Sequence, residues 1–202
     1  MSASMTRPRD EPAIHPGVDL PLLHDLIRPE RSPWTPSELR HLTSTIAAEL
    51  TVPLLEVARS IPEQRRPVRL ALTDGVELWL LSWRPGEDTG PHDHGGAYGS
   101  FTVLLGELTE DFTEDYRYLG CPSRSALHGV GAAVGFGPKR AHRMRNLGTR
   151  ETASVHAYSP PLLPTRQYVS RADGLAGATP RLPTGQSARR RWTRCSRKHA
   201  QS

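Results

Sequence analysis

At 202 residues, with 23% charged and 36% hydrophobic side chains, the chain has room for one domain with a real core and little more. Its longest apolar runs, 78–81 and 103–105, are far too short to cross a bilayer, the N-terminal MSASMTRPRD has no apolar signal core, and two cysteines point to a reducing cytoplasm. The net charge of +5 hints at nucleic acid, but seven of the 26 basic residues lie within 181–202, leaving 19 basic against 21 acidic residues elsewhere.

Residues 1–16 are polar, hold three prolines and lack periodicity, so they are expected to be disordered. From 18 to 27, Leu20, Leu22, Leu23, Leu26 and Ile27 have helical spacing. A second helix is expected from Thr35 to about Leu50. Thr35 can cap it, Pro36 suits the first helical position, and Glu38 can reach back to complete a capping box. A third can follow over 52–59. After Pro67 the pattern changes to short segments with β-branched, aromatic or alternating residues: 68–73, 76–83, 98–105, 108–118, 132–136, 140–146 and 152–158. Asp74-Gly75, Pro85-Gly86, Gly95-Gly96, Gly120-Cys121-Pro122 and Gly148 punctuate them. Many short strands at this spacing predict a mostly β sandwich or barrel with N-terminal helices. The domain is placed at 17–170. The tail, 171–202, is basic and without pattern, and reads as a solvated end; neither nucleic acid nor membrane is expected as a partner.

Chemistry concentrates at Pro91-His92-Asp93-His94-Gly95-Gly96. On an extended strand, side chains at i and i+2 leave one face, so His92 and His94 should point together with Asp93 directed away. Five residues separate Gly86 from His92, one separates the histidines, and eleven separate His94 from Gly106. That is the spacing of the first cupin motif, with Gly99 where the motif places a glutamate. Gly131, His142 and Asn146 keep the register of the second motif, although Gly137-Pro138-Lys139 displaces its proline and inner glycine. The result is three imidazoles and no carboxylate. For Fe(II) such a set leaves a face open to substrate and O2; zinc with three histidines and a water is the rival. Trp79 and Trp83 share a strand face and are read as core. His15, His24, His41, His128 and His199 lack ligand spacing and receive no role; Cys121 and Cys195 are read as free thiols.

Several runs resemble the cysteine dioxygenase type I family: 83–86 with 92–96, Leu105-Gly106-Glu107-Leu108-Thr109-Glu110, Ala141-His142-Arg143-Met144-Arg145-Asn146, and above all Ser154-Val155-His156-Ala157-Tyr158-Ser159-Pro160-Pro161. The resemblance covers roughly 35–165. It implies a cupin (jelly-roll) β-barrel, Fe(II), and oxidation of a small thiol by O2 to a sulfinate. His92, His94 and His142 match the iron ligands, Arg69 the arginine that binds the substrate carboxylate, and Ser154, His156 and Tyr158 a hydrogen-bonded triad beside the iron. Ser159-Pro160 matches a cis peptide bond that would aim Tyr158 inward. Animal members carry a crosslinking cysteine at the Gly99 position, so the likeness is to the bacterial type that lacks it. Pro67 stands where many members have a tyrosine. L-Cysteine is the implied substrate. The alternatives are 3-mercaptopropionate or another small thiol, whose oxidisers tend to carry glutamine at the Arg69 position, and a non-catalytic ligand-binding cupin.

Overall fold

The structure, a computed structural model, describes residues 12–27, 31–60, 67–115 and 124–161, and the backbone of two further strands, Thr165–Val169 and Ala176–Arg181. The helical segment comes first. A 3-10 turn at Pro16–Val18 leads into α1 (Pro21–Leu26), α2 (Pro36–Glu49) and α3 (Thr51–Ser60). The expected capping box closes α2: Glu38 N–H donates to Thr35 Oγ1, and Thr35 N–H donates to Glu38 Oε2 at 2.9 Å. Two of the helix's otherwise unpaired N-terminal donors are thereby satisfied.

The strands are β1 (Ala13–Ile14), β2 (Val68–Leu72), β3 (Glu77–Trp83), β4 (Tyr98–Leu105), β5 (Leu108–Thr113), β6 (Arg124–His128), β7 (Ala133–Phe136), β8 (Ala141–Arg145), β9 (Thr152–Ser159), β10 (Thr165–Val169) and β11 (Ala176–Arg181). They form an antiparallel six-stranded sheet in the order β1-β2-β3-β9-β4-β7, a three-stranded sheet β6-β5-β8, and the pair β10-β11. Period-two alternation divides the residues of the large sheet between two jobs. Leu78, Leu80, Leu104, Ala153, Val155 and Ala157 face the helices and join Leu39, Leu42, Ile46, Leu54 and Val57 in one apolar cluster. Each fully buried leucine there contributes about 1.5–3 kcal/mol over an exposed one. Small hydroxyls on the same face are satisfied locally, since Thr102 Oγ1 donates to Thr43 Oγ1 and Ser100 Oγ bonds to the same oxygen, both at 2.9 Å.

The opposite residues, Trp83, Phe101, Val103, Phe136 and Tyr158, meet Leu108 and Met144 of the small sheet in a second cluster. This inner layer houses the site. Asn146 braces its rim, its Nδ2 donating to the carbonyls of Trp83 and Arg150 at 3.0 and 2.8 Å.

All seven expected strand segments are present, with 98–105 in full, 152–158 extended by one residue and the other five shorter; 116–118, assigned to the fourth of them, lies outside the described residues. Four strands were not anticipated, β10 (Thr165–Val169) among them. Ala13–Ile14 corrects the expectation of disorder over 1–16: it pairs with Ala71 and Leu72, and Ile14 packs on the helical cluster. Residues 1–11 lie outside the described residues. β6, of sequence RSALH, lacks β-branched residues and is held by pairing to β5, with Ala126 and His128 partly buried. β11 falls within the tail expected to be patternless, and its backbone pairs with β10. Residues 182–202, with most of the basic cluster, are outside the described set, as are Cys121 and Cys195. Among the described residues no helix is long and apolar enough to cross a membrane.

Candidate metal centre

His142 lies on β8, and His92 pairs with it across a single antiparallel bridge: each donates its N–H to the other's carbonyl at 2.9 Å. The 92–94 segment is otherwise irregular, not the strand expected. After His94 the chain turns through Gly95 and Gly96, with φ of 65° and 98°, a conformation that suits glycine. Asp93, between the two histidines, is buried, and its Oδ1 accepts from Gly95 N at 2.8 Å, bracing the turn.

The three imidazoles converge. Their ring centroids are 4.8 to 5.0 Å apart, and one nitrogen from each lies within 4.8 Å of the others. His92 Nδ1 donates to the Gly90 carbonyl at 3.1 Å and His142 Nδ1 to Glu110 Oε1 at 2.7 Å, leaving Nε2 of each with a lone pair. His94 is 2% exposed, and neither of its ring nitrogens has a hydrogen-bond partner among the described residues. A buried imidazole without partners is what a metal ligand looks like before its metal is counted. Burial and the neighbouring His142 push His92 down to about 4, and the same two causes hold His94 well below the usual range. Both are neutral near pH 7, as ligation requires. The group fits a metal ion.

Sequence reasoning gave no role to three residues that surround His142. Glu110, fully buried on the inner face of β5, meets His142, His128 and Arg140. The carboxyl would be raised by burial, but hydrogen bonds from His128 and His142 and the charge of Arg140 hold it well below the ordinary range. A carboxylate at an inward position of an alternating strand was the available signal.

Ser154, His156 and Tyr158 occupy successive inward positions of β9 and form one hydrogen-bonded line. Ser154 Oγ bonds to His156 Nε2 at 2.8 Å, and His156 Nδ1 to Tyr158 Oη at 3.3 Å. Trp83, read from the sequence as core only, also extends the line by donating its indole N–H to Ser154 Oγ at 2.9 Å. Tyr158 stacks on His94 with centroids 5.0 Å apart, which brings this line against the histidine cluster. Burial pushes His156 down to about 3, and burial with the charge of Glu77 raises Tyr158 above its usual range. His156 is therefore neutral and Tyr158 retains its proton. The Ser159-Pro160 bond is cis, as expected.

Arg69 on β2 lies opposite Trp79, in the cross-strand row that continues through His156 and Phe101. It does not touch the histidines. Its side chain is 49% exposed, with Nη1 3.6 Å from Oε1 of the buried Glu77, itself opposite Tyr158. Gly99 flanks Tyr158 on the other side, and a Cβ built there would overlap the Phe136 ring. Phe136 and His94 rings lie 5.0 Å apart, so the phenylalanine fills the space beside the tyrosine and its neighbour histidine. Gly99→Ala is expected to destabilise the fold by about 1–3 kcal/mol through overpacking. Urea unfolding measures this, and Phe136→Leu in the same chain should recover part of the loss.

A family model described as "Cysteine dioxygenase type I" matches residues 58–171, more than half of the chain. Among curated proteins none matches significantly. Among solved structures, the chain is similar to a Bacillus halodurans protein (21% identity, 55% of this chain and 80% of that one, TM-score 0.47). It is also similar to a Thermus thermophilus protein (20% identity, 53% and 93%, TM-score 0.45). A third is a Klebsiella pneumoniae protein with a double-stranded β-helix domain (18% identity, 58% and 90%, TM-score 0.43). The fold is a cupin, and the chain belongs to the cysteine dioxygenase type I family.

Proposed function

We propose that this protein is a cytoplasmic Fe(II)-dependent dioxygenase that oxidises L-cysteine with O2 to cysteine sulfinic acid, R–SH + O2 giving R–SO2H. What supports the reading is the convergence of three imidazoles, with no carboxylate among them, against the line from Tyr158 to Ser154. Iron(II) held by His92, His94 and His142 would supply an open coordination face where a thiol and O2 meet. The protein's own groups do the rest. Arg69 would pair with the substrate carboxylate in a charge-assisted hydrogen bond, fixing one end of a small molecule. Tyr158, which keeps its proton, would donate a hydrogen bond into the site. His156 Nδ1 orients that phenol, and Ser154, held by Trp83, sets the tautomer of His156.

The test is O2 uptake by Fe(II)-loaded protein offered cysteine and 3-mercaptopropionate side by side, with zinc-loaded protein as control. Cysteine should be consumed faster, one O2 per thiol, and the sulfinate formed under 18O2 should carry two labelled atoms. Faster consumption of 3-mercaptopropionate would overturn the substrate and keep the chemistry. Uptake of neither above the zinc control would leave a ligand-binding cupin.

A further inference from the structure

We infer that Glu110 is a positioning residue for the metal centre: it locks His142 into the Nδ1–H tautomer, and His128 and Arg140 hold its carboxylate in place to do so. The inference rests on the reading of the three histidines as metal ligands.

The geometry leaves Glu110 no alternative role as a donor. Arg140 forks onto both of its oxygens, Nε to Oε1 at 3.2 Å and Nη2 to Oε2 at 2.8 Å, the bidentate arrangement of a guanidinium on an ionised carboxylate. An ionised carboxylate only accepts. The contacts from His128 Nε2 at 3.0 Å and from His142 Nδ1 at 2.7 Å must therefore be donated by the imidazoles. His142 is left with its lone pair on Nε2, on the side of His92 and His94. An imidazole without such a partner could present either nitrogen.

The sheet explains how one side chain reaches both histidines. Glu110 pairs with Met144 on β8 and Ala126 on β6, whereas His142 pairs with Phe112 and His128 with Leu108. Both histidines are diagonal, same-face neighbours of Glu110, within reach of a long side chain. Arg140 is fixed in turn: its guanidinium lies 3.7 Å from the Phe112 ring centroid, and its Nη1 donates to Glu114 at 2.9 Å. The carboxylate is thus gripped from three sides, and none of those groups is itself a proposed ligand except His142.

The test uses metal alone. Co(II) and Zn(II) affinities are measured by chelator competition on the full-length protein, its Glu110→Gln variant, and His128→Phe, which removes a partner of the carboxylate without touching His142. Glu110→Gln should lose about 10- to 100-fold in affinity, the usual effect of removing an outer partner of a ligating histidine. His128→Phe should lose less than Glu110→Gln, because Arg140 still forks onto both carboxylate oxygens. Wild-type affinity in Glu110→Gln, or a loss in His128→Phe larger than that in Glu110→Gln, overturns the inference. Nitrogen NMR of zinc-loaded wild type needs no variant to fold: His142 should show a protonated Nδ1 and a metal-bound Nε2, and the reverse assignment overturns it. A wild-type protein that binds neither ion sinks the metal reading, and this inference with it.

Discussion

Replacing His94 with leucine is expected to strip the protein of its metal while leaving the metal-free fold at least as stable as wild type. His94 is the one member of the triad whose two ring nitrogens both lack a partner among the described residues, and its ring lies against Phe136 and Tyr158. Without a metal it is a buried polar group that makes no hydrogen bond, a situation that costs about 1–3 kcal/mol. Leucine removes that polar group and keeps much of the volume. The metal-free variant should therefore melt no lower than metal-free wild type, each kcal/mol gained appearing as about 2–4 °C for a chain of this size. Metal affinity should fall by more than the 10- to 100-fold that loss of an outer partner brings, because a ligand itself is gone. Iron per chain after loading, and calorimetry on the stripped protein, read the two effects separately. A variant that still holds wild-type iron would place the centre away from this triad.

The strands that sequence reasoning found are those whose residues declare a two-residue period against an apolar face. β3 and β9 alternate between the helical cluster and the inner layer, and both faces carry recognisable core residues. β6 was missed because Arg124, Ser125 and Leu127 are exposed and only Ala126 and His128 are partly buried. Nothing in five residues of such composition separates a strand from a loop; the ladder to β5 decides it. β1 is shorter still, and exists because Ile14 finds apolar cover on a core assembled from residues far along the chain. Capping, by contrast, is local chemistry, and Thr35 and Glu38 announced α2 fully.

The site shows the same division. His92 and His94 are two apart, so their convergence follows from backbone geometry, and the third histidine was found through spacing. The links that cross the sheets were out of reach. His128 had no ligand spacing and was set aside, yet it is tied to the centre through Glu110, 18 residues away in the chain. The space at Gly99 is occupied by Phe136 from the neighbouring strand β7, a relation that only the pairing register reveals. Asp93 was expected only to point away from the histidines; its part in bracing the turn was not foreseen, because strand alternation was assumed where the chain instead turns.

Changing Arg69 to glutamine is expected to lower kcat/KM for cysteine by roughly 10- to 150-fold while iron content stays at the wild-type level. Arg69 shares a face with Trp79 and His156, and Tyr158 of the same strand as His156 stacks on His94, so the arginine could meet the far end of a small substrate whose sulfur would lie at the metal. Its ion-pair partner among the described residues is Glu77 at 3.6 Å, beyond ordinary hydrogen-bond length, and half of its side chain is open to solvent. A substrate carboxylate would be a closer partner. A hydrogen bond to a charged group is worth about 1.5–3 kcal/mol, less than a fully buried pair because water can replace the lost partner here. That range, at about 1.4 kcal/mol per decade, gives the stated fall. The contact is made to the intact substrate as well as later, so most of the loss should appear in KM. Glutamine still offers an amide donor, and relatives that favour 3-mercaptopropionate tend to carry it, so activity on that thiol should fall less. Steady-state O2 uptake on both substrates, with iron assayed on the same samples, gives the comparison. Cysteine oxidised at the wild-type kcat/KM would show that Arg69 does not read the carboxylate, even with the metal centre intact.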